Sequence, residues 1–174
     1  MIQFTLKGPL QSWGLKKING GNYFPTDNKP TKSGIIGLIA CVMGLERGNP
    51  KIEELNNALR IYVYSHDNDG IMTDFQVIHV SDKRPMYLAS RERASGTQAN
   101  SIITKRSYIQ SGEFDVIVDG DKALLEEITE AFKNPYWVPY LGRKSCAVSE
   151  PIWPEWTDNK EGFQEINNDT NYTL

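Results

Sequence analysis

Three short segments combine glycine with hydroxyl or cationic side chains, a composition suited to binding an anion such as phosphate. They are Gly-Pro-Leu-Gln-Ser-Trp-Gly at residues 8–14, Lys-Ser-Gly at residues 32–34 and Gly-Arg-Lys-Ser at residues 142–145. Glycine lets a backbone approach a ligand closely. The second segment begins a predicted helix, where free amides and the helix dipole favour negative charge. A plain capped helix start and a solvated turn are the alternatives for the second and third segments.

The polar and aromatic side chains of these segments add hydrogen-bonding groups, an aromatic ring and charge. Gln11 and Ser12 offer hydrogen bonds without charge. Trp13 can stack on a base or be buried in the core. Arg143 and Lys144 place two cations beside a glycine, which favours phosphate contact over a solvated turn.

Candidate catalytic residues are few. The chain has two histidines: His66 closes a predicted strand before a turn, and His79 lies in the next predicted strand. A general base must be placed within reach of the proton that it removes, and neither histidine adjoins a lysine. Cys41 and Cys146 are far apart, and no Cys-x-x-Cys, His-x-His or His-Glu-x-x-His pattern occurs. We therefore expect no catalytic activity, no metal site and no cofactor.

Charge is distributed unevenly along the 174 residues, whose net charge is −3. Residues 83–106 are cationic, residues 107–134 are acidic, and residues 151–174 carry five acids against one lysine. A basic segment of this kind is typical of nucleic-acid contact, with random clumping on a solvated surface as the alternative. The longest apolar run, residues 35–43, is about half of a membrane span, and no leader pattern begins the chain. We expect a cytoplasmic protein that does not bind a membrane.

The hydrophobic periodicity of the first part of the chain predicts a strand, a long loop and a helix. Apolar side chains alternate over residues 2–6, as in a half-buried strand. Residues 8–30 contain too many glycines and prolines for a helix or a central strand. A helix is predicted after a cap at Thr31 or Ser33, with Gly44 at its end.

The rest of the chain continues the alternation of helices and strands. The predicted elements are a short helix over residues 52–59, strands over 60–66 and 71–80, a basic excursion, a strand over 114–118, a helix capped by Asp121 and a last strand within 136–148. This is the order of a ferredoxin-like (RRM-like) α+β fold. Such a sheet can present an open face to RNA, although the fold serves many unrelated functions.

Four local sequences, taken together and in this order, resemble the CRISPR-associated CasD family. They are residues 8–14 (GPLQSWG), residues 30–44 (PTKSGIIGLIACVMG), the basic excursion that ends in Lys-Arg-Ser-Tyr at 105–108, and residues 140–146 (YLGRKSC). The resemblance implies a RAMP-type palm over residues 1–151, with an inserted basic thumb at about 81–106. An acidic C-terminal tail over 152–174 would follow. Many relatives have a longer C-terminal subdomain; either it is dispensable here or the natural protein continues.

The resemblance also implies a function and partners. It implies a non-catalytic subunit of a type I CRISPR effector complex (Cascade), near the type I-E branch, that binds the crRNA 5′ handle and caps the backbone of the complex in antiviral DNA interference. A CasC-type backbone subunit and a CasA-type large subunit would be its protein partners, and target DNA would be reached only through the complex. Some relatives cut precursor guide RNA, so a metal-independent endoribonuclease that processes CRISPR repeat RNA is the alternative. An isolated RRM-like RNA regulator and a ferredoxin-like small-molecule domain are further alternatives.

The predicted RNA-binding residues fall into two groups. The first lies in the glycine-containing segments and consists of Gln11, Ser12, Trp13, Lys32, Ser33, Arg143 and Lys144. The second belongs to the thumb, with Arg91, Arg93, Lys105 and Arg106 for phosphates and Tyr87 and Tyr108 for bases. We expect the thumb to close over the phosphate-binding segments.

Overall fold

One long strand, β7 (Ser101–Asp119), is the axis of the sheet. The computed structural model describes residues 1–15, 22–79 and 101–167. This part of the chain has a mixed α/β arrangement with a mainly antiparallel sheet. The other elements are β1 (Ile2–Gln11), β2 (Trp13–Gly14), β3 (Tyr23–Phe24), β4 (Thr26–Asp27), α1 (Lys32–Val42), α2 (Pro50–Ala58), β5 (Arg60–Ser65), β6 (Ile71–His79), α3 (Lys122–Lys133), β8 (Glu155–Trp156) and β9 (Gln164–Ile166).

The two halves of β7 belong to different parts of the sheet. Its second half pairs antiparallel with β1 on one edge and with β5 on the other, which forms the palm. Its first half pairs antiparallel with β6 over residues 101–109, and β3 runs parallel beside residues 105–106 on the opposite edge. We call the three-stranded unit of β3, β6 and residues 101–108 the arm.

Helices α1 and α3 contribute their apolar sides to the core of the palm, and each has a defined start. Thr31 caps α1 by accepting a hydrogen bond from the Gly34 amide at 3.2 Å, and Asp121 caps α3 by accepting one from the Ala123 amide at 2.9 Å. Burying a leucine or isoleucine side chain fully stabilises a fold by about 2 kcal/mol. The core includes Ile2, Phe4, Leu6, Ile35, Leu38, Ile39, Val42, Ile61, Val63, Val116, Val118, Leu125, Ile128 and Phe132.

The predicted strands and helices up to the end of α3 are present, but two strands are longer than predicted. The prediction of a loop over residues 8–30 is wrong in part: residues 8–11 continue β1 and pair with β7, and the described remainder includes the short strands β2, β3 and β4. Residues 101–106, predicted as the end of the excursion, lie within β7. The last predicted strand, within residues 136–148, is wrong: this segment has only an isolated bridge between Tyr140 and Ala147. Pro139 and Gly142, whose φ is +86°, interrupt regular pairing there.

The segment that follows Pro151 adds two short strands to the palm. β8 pairs with β1, and β9 pairs with β5. The Lys160 ammonium lies 4.6 Å from the centre of the Tyr62 ring, and the Phe163 and Tyr64 rings are 5.9 Å apart. This segment therefore packs on aromatic side chains of β5. No helix in the described ranges is long and apolar enough to cross a membrane.

Candidate nucleic-acid interface

The three glycine-containing segments meet at one place beside the start of α1. The Ser12 amide donates a hydrogen bond to the Leu141 carbonyl at 3.0 Å. A Cβ at Gly142 would lie 1.7 Å from the Ser12 carbonyl oxygen, and one at Gly34 would lie 2.7 Å from the Trp13 ring. Real Cβ atoms do not approach other atoms so closely, so these two positions need glycine. Segments far apart in the sequence thus form a single surface.

Gln11, Ser12 and Trp13 lie inside the protein beneath this surface. Trp13 is only 1% exposed, and its indole N–H donates to the Gln11 side-chain oxygen at 3.1 Å. The Gln11 amide in turn donates to the Gly112 carbonyl at 2.7 Å, and the Ser12 hydroxyl donates to the Ser107 carbonyl at 3.3 Å. Of the two interpretations of Trp13, the structure has the buried one. The three side chains hold the backbone in place from within.

Arg143 ties three segments together with its guanidinium group. Nη1 donates to the Ser107 carbonyl at 3.1 Å and Nη2 to the Phe24 carbonyl at 2.9 Å. The guanidinium carbon lies 4.8 Å from the centre of the Tyr108 ring, a cation–π distance. Tyr108 itself is 4% exposed, so its ring is covered. Both residues join the arm to the turn that contains Gly142.

Lys32, Ser33 and Lys144 are the predicted phosphate-binding residues of these segments that are exposed or half-buried and whose side chains are not taken up by backbone carbonyls, and we call these three residues the floor. Ser33 and Lys144 are exposed, and both line a groove of about 1280 Å³ between α1 and the segment around Trp137. The first turn of α1 contains no acid, so the positive end of its dipole is not neutralised there. Burial lowers the pKa of Lys32 below its ordinary value, and the neighbouring Glu165 opposes this effect.

The arm carries the three predicted thumb residues that the structure describes: Lys105, Arg106 and Tyr108, whose covered ring is described above. Lys105 is exposed. The Arg106 guanidinium lies 5.5 Å from the centre of the Phe24 ring, and its Nε is buried with no hydrogen-bond partner among the described residues. Tyr87, Arg91 and Arg93 lie outside the described residues. Their role in RNA contact stays a prediction.

His66 belongs to a polar cluster on the palm sheet rather than to the floor. Its Nε2 is 2.8 Å from an Asp115 carboxylate oxygen, and the Thr5 hydroxyl donates to the other oxygen at 2.6 Å. The contacts couple three adjacent strands, which is a structural role. Within the described ranges, no group of three or more His, Cys, Asp or Glu side chains is arranged to hold a metal ion.

Sequence reasoning missed two exposed aromatic residues that stand on either side of Lys105. Tyr23 pairs with Lys105 across the β3–β7 edge, and Phe75 pairs with it across the β6–β7 edge. The sequence predicted a strand over residues 71–80 and gave Phe75 no role in binding. No signal in the sequence indicates that this side of β6 is open, because that depends on what packs against it.

Comparison with known proteins relates the whole chain to one family. The family model described as "CRISPR-associated protein (Cas_Cas5)" matches residues 1–173. The "CRISPR system Cascade subunit CasD" of Escherichia coli (strain K12) is 28% identical over 155 residues, which are 85% of this chain and 67% of that protein.

Solved structures agree with this relation. A chain of a "CRISPR RNA-guided surveillance complex" is 31% identical with a TM-score of 0.71, and a "Crystal structure of Cas protein" is 30% identical with a TM-score of 0.57. Each match covers 87% of this chain and 61% of the solved chain, so this chain spans about three fifths of those structures. Because the family model matches almost every residue, the chain belongs to the CRISPR-associated Cas5 family.

Proposed function

We propose that this chain is a non-catalytic subunit of a Cascade-type CRISPR effector complex, which binds the 5′ handle of the crRNA and caps the backbone of the complex in the cytoplasm. Its relatives support membership in such a complex, since one is named a Cascade subunit and another belongs to an RNA-guided surveillance complex. One observation carries the RNA-binding part: three distant glycine-containing segments converge beside the start of α1 and leave the floor accessible.

The floor would bind the phosphates of the handle. Lys32 and Lys144 supply charge, and the Ser33 hydroxyl and the free amides of α1 supply hydrogen-bond donors. Arg143 would act from beneath by holding the Gly142 turn against Ser12, because its own N–H groups already bind backbone carbonyls. Glu46 and Glu53 also line the groove. Because these two acids lie in the groove, phosphate binding would depend on the individual cations Lys32 and Lys144 and not on a surface that is basic throughout.

We interpret residues 1–151 as a ferredoxin-like, RAMP-type palm with a thumb inserted at about 81–106. The order β1, α1, β5, β7, α3 supports this interpretation. The arm would be the base from which the thumb rises. Residues 152–174 would form an acidic C-terminal tail, of which the described residues 152–167 add the strands β8 and β9 to the sheet.

The protein partners would be a CasC-type backbone subunit and a CasA-type large subunit, and target DNA would be reached only through the complex. Trp153 and Trp156 are large exposed side chains close together near β8. Exposed aromatic side chains of this kind are enriched at protein interfaces. Co-expression with the other subunits and a guide RNA should yield one particle that contains this chain. Complete assembly of the rest without it would refute the proposal.

Titration of handle RNA at several salt concentrations, in the assembled complex, tests the floor. Lys32→Ala and Lys144→Ala should each weaken binding and reduce the log–log salt slope by about 0.7, the value for one phosphate contact on a single strand. Lys122→Ala is the matched control, since Lys122 is an exposed lysine on α3. The RNA should be recovered intact with and without divalent metal. Unchanged slopes in both floor variants, or site-specific cleavage lost in His66→Ala, would contradict the proposal.

A further inference from the structure

One face of the arm presents a row of aromatic, cationic and aromatic side chains across three strands. Tyr23 on β3, Lys105 on β7 and Phe75 on β6 are in register, and side chains of paired residues point to the same side of a sheet. Tyr23 is 41% exposed and Phe75 is 56% exposed. Neighbouring strands are about 4.8 Å apart, so the backbones that carry the two rings are about 10 Å apart, with the backbone of Lys105 between them.

The next row of the same face is apolar and also open. Val77 pairs with Ile103, directly beside Phe75 and Lys105, and both side chains are exposed. Together the two rows form one contiguous exposed patch, which on a soluble protein marks a binding surface. The patch and the floor are made of different residues: the patch belongs to the arm, whereas the floor belongs to the start of α1 and to the turn that contains Gly142.

Hydrogen bonds hold the Tyr23 ring in place on this face. Its hydroxyl is 3.0 Å from the Ser107 hydroxyl, which is 3.1 Å from the Thr73 hydroxyl. The chain of three hydroxyls crosses β3, β7 and β6. A ring anchored in this way loses little conformational freedom when a ligand stacks on it.

The chemistry of the row favours nucleic acid over a protein partner. Lysine is depleted at the centres of protein interfaces, whereas aromatic rings beside a cation are the usual means of holding a single strand, by stacking bases and neutralising phosphate. Among the described residues of the arm, the only acid is Asp74, which alternation places on the other face. Tyr108, predicted to stack, is covered by Arg143.

We propose that Tyr23 and Phe75 stack bases of the guide RNA, with Lys105 at the intervening phosphate. The inference rests on the proposed function, since it takes the guide RNA as the strand. It adds a base-binding surface on the arm to the phosphate-binding floor. RRM-type domains stack two or three bases on aromatic side chains of a sheet in the same manner.

A double-mutant cycle between protein and RNA tests the stacking. The assembled complex is titrated with single-stranded handle RNA and with the same strand carrying abasic sites, which keeps the phosphates and removes the bases. For the wild type, the abasic strand should bind about tenfold more weakly for each ring that loses its base. In Tyr23→Leu/Phe75→Leu the two strands should bind alike. The variant Tyr23→Phe keeps the ring, so it should keep the difference between the two strands that depends on this position, because the ring and not the hydroxyl stacks.

The control is Trp156→Leu, which removes an equally exposed aromatic ring on the edge strand β8. It should keep the full difference between the two strands. If the double variant Tyr23→Leu/Phe75→Leu still binds the abasic strand more weakly than the intact strand, the stacking proposal is wrong while the proposed function stands. If the particle with this double variant loses another subunit but keeps wild-type RNA binding, the patch is a protein interface and the proposal is also wrong. Failure of the wild type to bind either strand would refute the proposed function itself.

Discussion

The floor and the exposed patch on the arm differ in what holds their side chains at the surface. At the floor, buried side chains and close backbone contacts fix the surface: Gly142 lies against Ser12, and Trp13 lies beneath Gly34. On the arm, strand register alone sets the row of Tyr23, Lys105 and Phe75, and the side chains are open to solvent.

This difference indicates where a substitution should change both the free energy of unfolding and ligand binding, and where it should change ligand binding alone. A substitution beneath the floor changes a packed interior, where voids and overlaps are costly. A substitution on the exposed arm face removes a contact for a ligand and little else. Stability measurements should therefore separate the two regions before any RNA is added.

The largest expected effect comes from Gly142→Ala. The new Cβ would overlap the Ser12 carbonyl, and φ would remain at +86°, so we expect a loss of about 3 kcal/mol or more in the free energy of unfolding. Gly48→Ala is the matched control, because Gly48 has the same φ but open space around it. It should cost about 1 kcal/mol, the price of a left-handed backbone for alanine.

Urea unfolding of both variants measures the difference. Equal losses would mean that the backbone angle, and not the contact with Ser12, makes Gly142 necessary. The conclusion that buried contacts hold the floor in place, whereas strand register sets the row on the arm, would then lose its main support.

A smaller effect should distinguish the adjacent cations Arg143 and Lys144. Arg143→Ala removes two hydrogen bonds from a charged donor and a contact with the Tyr108 ring, so we expect a loss of about 2 kcal/mol. Lys144→Ala removes an exposed side chain and should change stability by less than about 0.5 kcal/mol. Thermal or urea unfolding of the two variants makes the comparison. Similar losses would show that both residues serve the same role.

The smallest effect concerns the protonation of Lys32. Burial lowers its pKa, whereas the hydrogen bond with Glu113 raises the pKa of Lys7, so Lys32 should titrate at lower pH than Lys7. Because Lys32 binds its proton less tightly in the folded state than in the unfolded state, protonated Lys32 lowers the free energy of unfolding at pH values below its lowered pKa. This penalty disappears as the pH rises towards the ordinary lysine value.

NMR of lysine labelled with ¹³C at Cε can follow both titrations, with Lys32→Met used for assignment. Bound phosphate should move the pKa of Lys32 upwards, since a nearby negative charge favours the ammonium form. Lys7, which lies outside the floor, should not respond to RNA. A Lys32 titration that is unaffected by RNA would place the phosphate elsewhere.

Local patterns predicted most elements because each depends on neighbouring residues. Alternation over residues 2–6 and caps at Thr31 and Asp121 act within a few positions, so they can be read directly. The segment over residues 136–148 failed for a tertiary reason. Its conformation follows from the contacts of Leu141 and Gly142 with Ser12, more than 120 residues away in the chain.

The candidate site divides in the same way. Residue types and motif order were sufficient to indicate family membership and the glycine-containing segments that meet beside α1. They did not distinguish a cation that reaches solvent, such as Lys144, from one that binds backbone carbonyls, such as Arg143. Nor did they identify Tyr23 and Phe75, whose pairing with Lys105 requires the strand register.

The amino-acid sequence by itself thus determined the helices, the four longest strands, the family and the segments that carry charge and glycine, because short-range spacing and residue chemistry encode them. Only the tertiary structure decided which of those side chains are accessible. Accessibility depends on which distant segments pack together: Trp13 is covered by residues around Gly34, Tyr108 is covered by Arg143, and Phe75 is left open. Burial of this kind follows from contacts across the whole fold, which no local pattern contains.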